Sequence, residues 1–407
     1  MNPATNASFI VVLNCGSSSI KFGVFATTTA NGGAPARRPA WNGKVQGIGG
    51  PRPDFGASTV AVRPVDLGSD HPYAAALQII RDEVLRWLAG RAVAAVAHRV
   101  VHGGATYSAP VRVDAQVLVD LRAVIPLAPL HQPFALEAME ILLRERPALP
   151  QVACFDTAFH HTLAQVEQML PLPYAAWERG LRRYGFHGLS YEYMAVALAE
   201  RHGEAARGKT IVAHLGSGAS LCAMQDLRSV ATTMGFSALD GLMMGTRTGA
   251  LDPGAVLYLM EIEHLTLEQV GHGLYHESGL RGVSGISSDP RVLLEREATE
   301  PRAALALDLY VRRIVREIGA LVAVLGGLDL LVFTAGIGEH SVVLRQRICA
   351  ALGWLGIAID DAANAADAFV ISAAACRVRV AVEPTNEEWI AARHAQRLLT
   401  PPLPTRS

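Results

Sequence analysis

The sequence predicts an α/β protein built from two related halves. Three observations carry that expectation. Short apolar runs of strand length alternate with amphipathic stretches of helical period, a strand-turn-strand unit near the start recurs about 200 residues later, and glycine-rich turns stand at the ends of apolar runs. At 407 residues the chain is long enough for about two domains. Half of its residues are hydrophobic and 18% are charged, with 37 Gly and 22 Pro, which excludes a disordered or collagen-like chain.

The chain opens on FIVVL, turns through NCGSSS and resumes with IKFGVF, which reads as a β-hairpin. Its counterpart is TIVAHLGSGA, beginning at Thr210, and an offset of 200 residues places Gly16 on Gly216 and Ser17 on Ser217. Two such halves would each turn backbone N–H groups and hydroxyls toward one shared cleft, which suits a polyphosphate gripped from two sides. The stretch Thr27 to Pro64, rich in Gly, Pro and Ala, reads as irregular or edge structure. Tyr73 to Leu88 and Pro133 to Arg146 have helical spacing, and the apolar run Val93 to Val101 ends in HRVVHGG. In the second half a helical pattern from Arg302 to Leu325 leads into LDLLVFTAGIGEH, a buried strand running into a glycine turn. The tail after Leu399 is expected to fray.

Lys and Arg number 36 against 37 Asp and Glu, a formal charge of −1, and no dense basic block appears. Neither nucleic acid nor an anionic membrane is an expected partner. The five cysteines, Cys15, Cys154, Cys222, Cys349 and Cys376, lack C-x-x-C or zinc-type spacing, as in reduced cytosolic proteins. Phe9 to Leu13 is too short an apolar run for a signal sequence, and stretches such as Thr210 to Gln225 are broken by His, Gly and Ser. The expectation is a soluble, cytoplasmic protein.

No G-x-x-x-x-G-K-[ST] signature occurs, and no G-x-G-x-x-G follows the first strand. Phosphate would instead meet GSSS at 16–19, GSG at 216–218 and AGIG at 335–338, where small side chains let backbone N–H groups approach closely. Each alone is equally an ordinary tight turn. Arg99 in HRVVHGG, Arg247 in MGTRTG and His187 in YGFHG stand beside glycines and read as loop residues. Their apolar neighbours imply partial burial, and a buried cation needs an internal acid or a bound anion. Asp156 in CFDTAFHH and Glu387 in PTNEE interrupt apolar segments; Asp289, before a proline, equally resembles a helix cap. A carboxylate together with Asn14 could hold Mg²⁺ mainly through water. The adjacent His160 and His161 read as structural.

These segments together resemble the acetate kinase family, acyl-phosphate-forming kinases of the actin, sugar-kinase and heat-shock ATPase superfamily. From LNCGSSSIK to EPTNEEW, the motifs HRVVHGG, LAPLHQP, FDTAFHHT, RRYGFHGLS, HLGSGAS, MGFSALDGLMMGTRTG, SGLRGVSGISSD and FTAGIGEHS follow the family's order. The resemblance implies two duplicated actin-like (ribonuclease H-like) domains around a nucleotide cleft. Residues 1–157 plus 386–407 would form the first, closed by the C-terminal segment, and 158–385 the second, carrying nucleotide binding and dimerisation. It further implies ATP:acetate phosphotransferase activity, ATP and ADP as co-substrates, Mg²⁺ with Mn²⁺ as an alternative, a small carboxylate substrate and a homodimer.

By motif, the resemblance makes Asn14 and Glu387 the metal positions and sets Ser17 and Lys21 near the nucleotide phosphates. His214, Leu215, Gly216, Ser217 and Gly218 match the second phosphate loop. Asp289, Pro290 and Arg291, with Gly336, Ile337, Gly338, Glu339 and His340, match nucleotide-binding segments. Arg99 would hold the substrate carboxylate, with Val101, Leu130, Phe186 and Ala238 about its methyl group, and Asp156, His187 and Arg247 would be catalytic. Three positions depart from the family pattern: Ser217 and His340 replace Asn, and Ala238 replaces a common proline. The acceptor acid is ionised at pH 7 and has no proton to lose, so Asp156 is expected to orient a Mg²⁺-bound water or an arginine rather than act as a base. Acetate is the expected acceptor, with propionate poorer but real. A propionate or butyrate kinase, and an ATP-driven conformational binder, stand as alternatives.

Overall fold

Both expected hairpins are present in the computed structural model, which describes residues 8–28, 33–129 and 131–399. β1 (Ser8–Cys15) and β2 (Ser19–Ala26) pair antiparallel as far as Cys15 opposite Ile20. β9 (Thr210–Leu215) and β10 (Ala219–Gln225) do the same as far as Leu215 opposite Ala219. The chain divides into two compact units, Met1–Ala158 with Asn386–Ser407, and Phe159–Thr385.

The first unit carries an eight-stranded sheet in the order β5-β4-β3-β2-β1-β6-β8-β7. β3 (Trp41–Gln46), β4 (Asp54–Ala57) and β5 (Val60–Pro64) continue antiparallel from the hairpin. β6 (Ala92–Val100) runs parallel to β1, β8 (Gln151–Phe155) parallel to β6, and β7 (Val111–Arg112) closes that edge. The strands from Trp41 to Pro64 therefore form the edge side of a sheet, as the edge reading of Thr27 to Pro64 expected, and they correct the irregular reading there, while residues 29–32 lie outside the described residues. Trp41, Val45 and Phe55 are fully buried there. Glycine masks the strand pattern because two backbones meet: a Cβ at Gly43 would lie 2.5 Å from the Gly56 carbonyl oxygen.

Strand alternation then sorts the two faces of this sheet. Phe9, Val11, Leu13 and Cys15 join one core cluster with Tyr73, Ile80 and Val84 of the helix Pro72–Leu88, and Ala138 of the helix Gln132–Glu145. Burying each large apolar side chain contributes about 1.5–3 kcal/mol. The intervening β1 residues, ending in Asn14, turn to the other face, where the helix Glu387–Leu399 packs on β1 and β6.

The second unit carries a five-stranded sheet in the order β11-β10-β9-β12-β13, adding β11 (Arg228–Thr232), β12 (Leu330–Thr334) and β13 (Arg379–Val382). Its three antiparallel strands followed by two parallel ones repeat β3-β2-β1-β6-β8 of the first sheet. The duplication read from two short turns thus extends to the whole sheet plan. The helix Pro301–Leu325 buries Leu307, Tyr310, Ile314, Ile318 and Leu321 at helical spacing and ends at Gly326 with φ 68°. All five cysteines are free thiols. Among the described residues no helix is long and apolar enough to cross a membrane.

Candidate active site

In the first unit, register sets the site. Lys21 on β2 lies opposite Asn14 on β1, and Asn14 lies opposite Arg99 on β6, so the three side chains leave the same face. Arg99 is a strand residue, which corrects its reading as a loop residue. The chain turns only at His102, whose Nδ1 accepts the Gly104 N–H at 2.8 Å. β8 ends at Phe155, and the Asp156 N–H bonds the Val100 carbonyl at 2.9 Å, which carries the next carboxylate to Arg99.

Arg99 Nε lies 3.1 Å from both Asp156 carboxylate oxygens, and its Nη2 lies 2.7 Å from Oδ2. The Nη1 edge is held more loosely, 3.4 Å from Asn14 Oδ1 and 3.4 Å from Glu387 Oε2. Burial acts to lower the guanidinium's pKa, but Asp156 and Glu387 outweigh it and raise it, so the charge is permanent. The Asp156 side chain is 2% exposed and that of Arg99 22%, so the carboxylate is the anchor and the guanidinium its accessible face. Behind them Glu388 fills space left by Gly23, where a Cβ would lie 2.6 Å from its Oε2. Burial raises the Glu388 pKa against the pull of Lys21.

In the second unit, His187, His214 and Arg247 gather at the β9–β10 turn. His187 is the N-cap of the helix Gly188–His202 and holds a left-handed φ of 59°, a conformation that costs of order 1–3 kcal/mol and occurs at functional sites. The turn before it is braced by His160. Gly185, with φ 74°, packs so that a Cβ would lie 2.4 Å from the His160 ring, and His160 Nε2 donates to the Phe186 carbonyl at 2.9 Å. Burial lowers the His160 pKa to about 4.

The His187 ring stacks on that of His214 with centroids 4.1 Å apart. His187 Nδ1 lies 2.8 Å from Ser220 Oγ, and His214 Nδ1 lies 2.8 Å from Ser190 Oγ. Tyr191 OH and Ser220 Oγ are 2.5 Å apart, and Ser190 Oγ and Thr385 Oγ1 2.7 Å. His187 Nε2 lies near the turn: a Cβ at Gly218 would lie 3.1 Å from it and 3.9 Å from Arg247 Nη1. Arg247 Nη1 donates to the Ala238 carbonyl at 3.2 Å, and burial lowers its pKa. Among the described residues no carboxylate lies within ion-pair distance of Arg247, and a buried guanidinium in that state favours an anionic ligand.

The remaining positions divide between the two units. Ser17 and Ser217 are exposed at hairpin tips closed by Gly16 N–H to Ser19 O at 2.9 Å and Gly216 N–H to Gly218 O at 3.0 Å. His214 and Leu215 are buried at the end of β9. Val101 is partly buried beyond β6, Phe186 is buried, and Leu130 lies outside the described residues. Asp289 caps the helix Pro290–Arg296, accepting the Arg291 N–H at 2.9 Å and gripping its guanidinium at 2.6 Å.

AGIG is not a turn, which corrects the sequence reading. Ala335 takes φ 63° and opens the helix Ala335–His340 at once. Gly336 and Ile337 lie in its first turn. Fully buried Arg345 holds its end, with Nη1 3.0 Å from the Gly338 carbonyl and 2.6 Å from that of Glu339. Glu339 Oε1 accepts the Thr385 N–H at 3.0 Å, while the His340 side chain is 74% exposed.

Asn14 Oδ1 and the carboxylates of Asp156 and Glu387 converge on a single cation, Arg99. These are hard oxygen donors of the kind that bind Mg²⁺ with few protein ligands while water and substrate phosphates complete the shell. The described residues contain no cluster of three His, Cys, Asp or Glu able to hold a metal alone. The residues present fit a hard divalent cation held jointly with a phosphate.

Ser190, Ser220, Tyr191 and Arg345 were not singled out from the sequence. Ser190 and Tyr191 follow His187 by three and four residues, the spacing of one helix face, and Ser220 pairs with His214 once the hairpin register is drawn. No local signal marks Arg345, whose partner Asn364 is 19 residues away.

The family model described as the Acetokinase family matches residues 9–393. An acetate kinase of Rhodopseudomonas palustris is 49% identical over 397 residues, 96% of this chain and 98% of that protein. A propionate kinase from Francisella tularensis has a similar solved structure, with a TM-score of 0.87 at 32% identity, over 96% of this chain and 99% of that one. The Porphyromonas gingivalis acetate kinase structure gives a TM-score of 0.84 at 34% identity, over 97% and 100%.

Proposed function

Because the chain belongs to the acetokinase family, we infer that it is an ATP:acetate phosphotransferase, moving the γ-phosphoryl group of ATP reversibly to acetate to give acetyl phosphate and ADP. The observation that carries the reading is Arg99: one edge of its guanidinium is fixed by Asp156 and the other is only loosely held. A kinase whose acceptor is a carboxylate needs such a fork.

The acetate oxygen attacks the γ-phosphorus in line as the bond to the ADP oxygen breaks, so the protein's work is positioning and charge stabilisation. Arg99 orients the acetate, and Asp156 holds Arg99 in register. His187 Nε2 and the Arg247 guanidinium, both near Gly218, donate to the equatorial phosphoryl oxygens. Orientation of two reactants contributes on the order of 7–11 kcal/mol in the best model systems. Asn14 and Glu387, with Asp156 near, would hold a divalent cation, Mg²⁺ with Mn²⁺ as the alternative, which when bound would supply positive charge to offset that of the phosphates. Ser17, Lys21, Gly216, Ser217, the 289–291 cap and the 336–340 segment are assigned to the nucleotide.

The proposed enzyme is a cytoplasmic homodimer formed through the second unit. The helix Pro253–Glu261 buries none of its residues, and Leu257, Tyr258 and nearby Ile262 are 58%, 54% and 59% exposed. An apolar face of this kind supports coverage by a second copy. Sedimentation of the full chain checks that state.

The decisive experiment traps acyl phosphate with hydroxylamine after incubation with Mg·ATP and acetate, propionate, butyrate or no acid. Acetate-dependent product, lost in Arg99→Ala, is expected. ATP hydrolysis indifferent to any carboxylate would replace the kinase reading with that of an ATP-driven conformational binder.

A further inference from the structure

On the face of the first sheet turned away from Asn14 and Arg99 lies a cavity of about 410 Å³, within the range of small-molecule pockets, about 300–1,000 Å³. It opens between the helices Pro72–Leu88 and Gln132–Glu145, with Val11, Leu13 and Val96 as its floor. Leu77, Val84 and Ile141 contribute to its walls, and among the described residues no aromatic side chain lines it.

The rim is cationic. Among the described residues, Arg81, Arg91, Arg144 and Arg146 stand there with a single acid, Glu145. Arg81 is neutralised by Glu145 at 2.9 Å and Asp82 at 3.0 Å. Arg91 donates to the Leu88 and Trp87 carbonyls at 2.8 Å. Among the described residues, Arg91, Arg144 and Arg146 have no carboxylate within ion-pair distance. An aliphatic floor beneath unneutralised guanidinium groups selects a ligand with an alkyl chain and an anionic head.

We propose that this cavity is a binding site for aliphatic carboxylates of medium chain length, with the chain on β1 and β6 and the head group among the rim arginines. It is distinct from the Arg99 site because β1 and β6 present alternate residues to the two faces. Chain burial and head-group sign make separate contributions. Each methylene that enters the groove should tighten binding about fourfold, and a cationic head of equal chain length should bind far more weakly.

The test is calorimetric titration of the full chain with hexanoate, octanoate, decanoate and decyltrimethylammonium. Expected are saturable one-to-one binding, affinity rising about fourfold per methylene, and at least tenfold weaker binding of the ammonium. Ala74→Phe, which narrows the groove from a partly exposed lining position, and the exposed pair Arg144→Glu with Arg146→Glu should each weaken decanoate about tenfold. Circular dichroism checks that both variants are folded. Arg99→Ala should leave decanoate binding unchanged, whatever becomes of acyl phosphate formation. Binding that ignores chain length, favours the ammonium, survives both groove variants or disappears in Arg99→Ala would overturn the proposal.

Discussion

Asp156 grips Arg99 along one edge of the guanidinium, with Nη2 2.7 Å from Oδ2 and Nε 3.1 Å from both oxygens. Lysine cannot reproduce that two-point grip. Arg99→Lys should lower kcat/KM for acetate by about 10²–10³, the scale of one preorganised charge donor, with a raised KM for acetate and little change for ATP. Steady-state kinetics in each substrate checks this.

Asp156→Asn keeps the shape and removes the charge that fixes Arg99. A loss of about 10² in kcat/KM is expected, partly restored by raised Mg²⁺. A loss that Mg²⁺ leaves untouched, following the titration of one base in the wild type, would instead make Asp156 a proton acceptor.

Gly218 leaves room for His187 and Arg247, since a Cβ would lie 3.1 Å from His187 Nε2. Gly218→Ala should reduce kcat about tenfold or more by displacing that imidazole, without shifting the thermal midpoint appreciably. Ser220→Ala removes the hydroxyl 2.8 Å from His187 Nδ1 and should lower kcat while sparing KM for acetate.

Ala238 contributes its carbonyl to Arg247, and a proline there retains that carbonyl. On the proposed assignment of Ala238 beside the acyl group, Ala238→Pro should widen the preference for acetate over propionate by about 1–3 kcal/mol at most, without releasing Arg247. Competition between the two acids at fixed Mg·ATP measures it.

His98, His102 and His160 are buried, and burial lowers the pKa of each from 6.5 to about 4. Their neutral forms are native, so the unfolded chain binds more protons between those values. The associated stability is complete above pH 6.5 and is lost as pH falls toward 4, with a slope of up to about 1.4 kcal/mol per pH unit for each residue. Urea unfolding across that window should show this fall, and His98→Leu should reduce the slope by about one proton.

Local chemistry made the hairpins, the helices and the glycine turns legible in the sequence. Two-residue alternation in IKFGVF, helical spacing from Tyr73 to Leu88 and from Arg302 to Leu325, and small residues at 16–19 and 216–218 are consequences of neighbouring residues. The 200-residue offset between two turns even anticipated the shared strand plan of both sheets. The chain's resemblance to acetate kinases was legible as well, because that signature lies in contiguous motifs.

Neighbouring residues specify the elements, their repeat and the residue types available for phosphate and carboxylate. Tertiary structure alone decided which of them meet. Asn14 and Arg99 are 85 residues apart and face one another only through the register of β1 with β6, while Asp156 reaches Arg99 because β8 ends beside that strand. The serines on His187 and His214, and Arg345 beneath the 335–340 helix, are likewise products of packing between distant segments. Parallel strands are joined by long crossovers, so their register is fixed by the helices packed between them and leaves no mark at either residue.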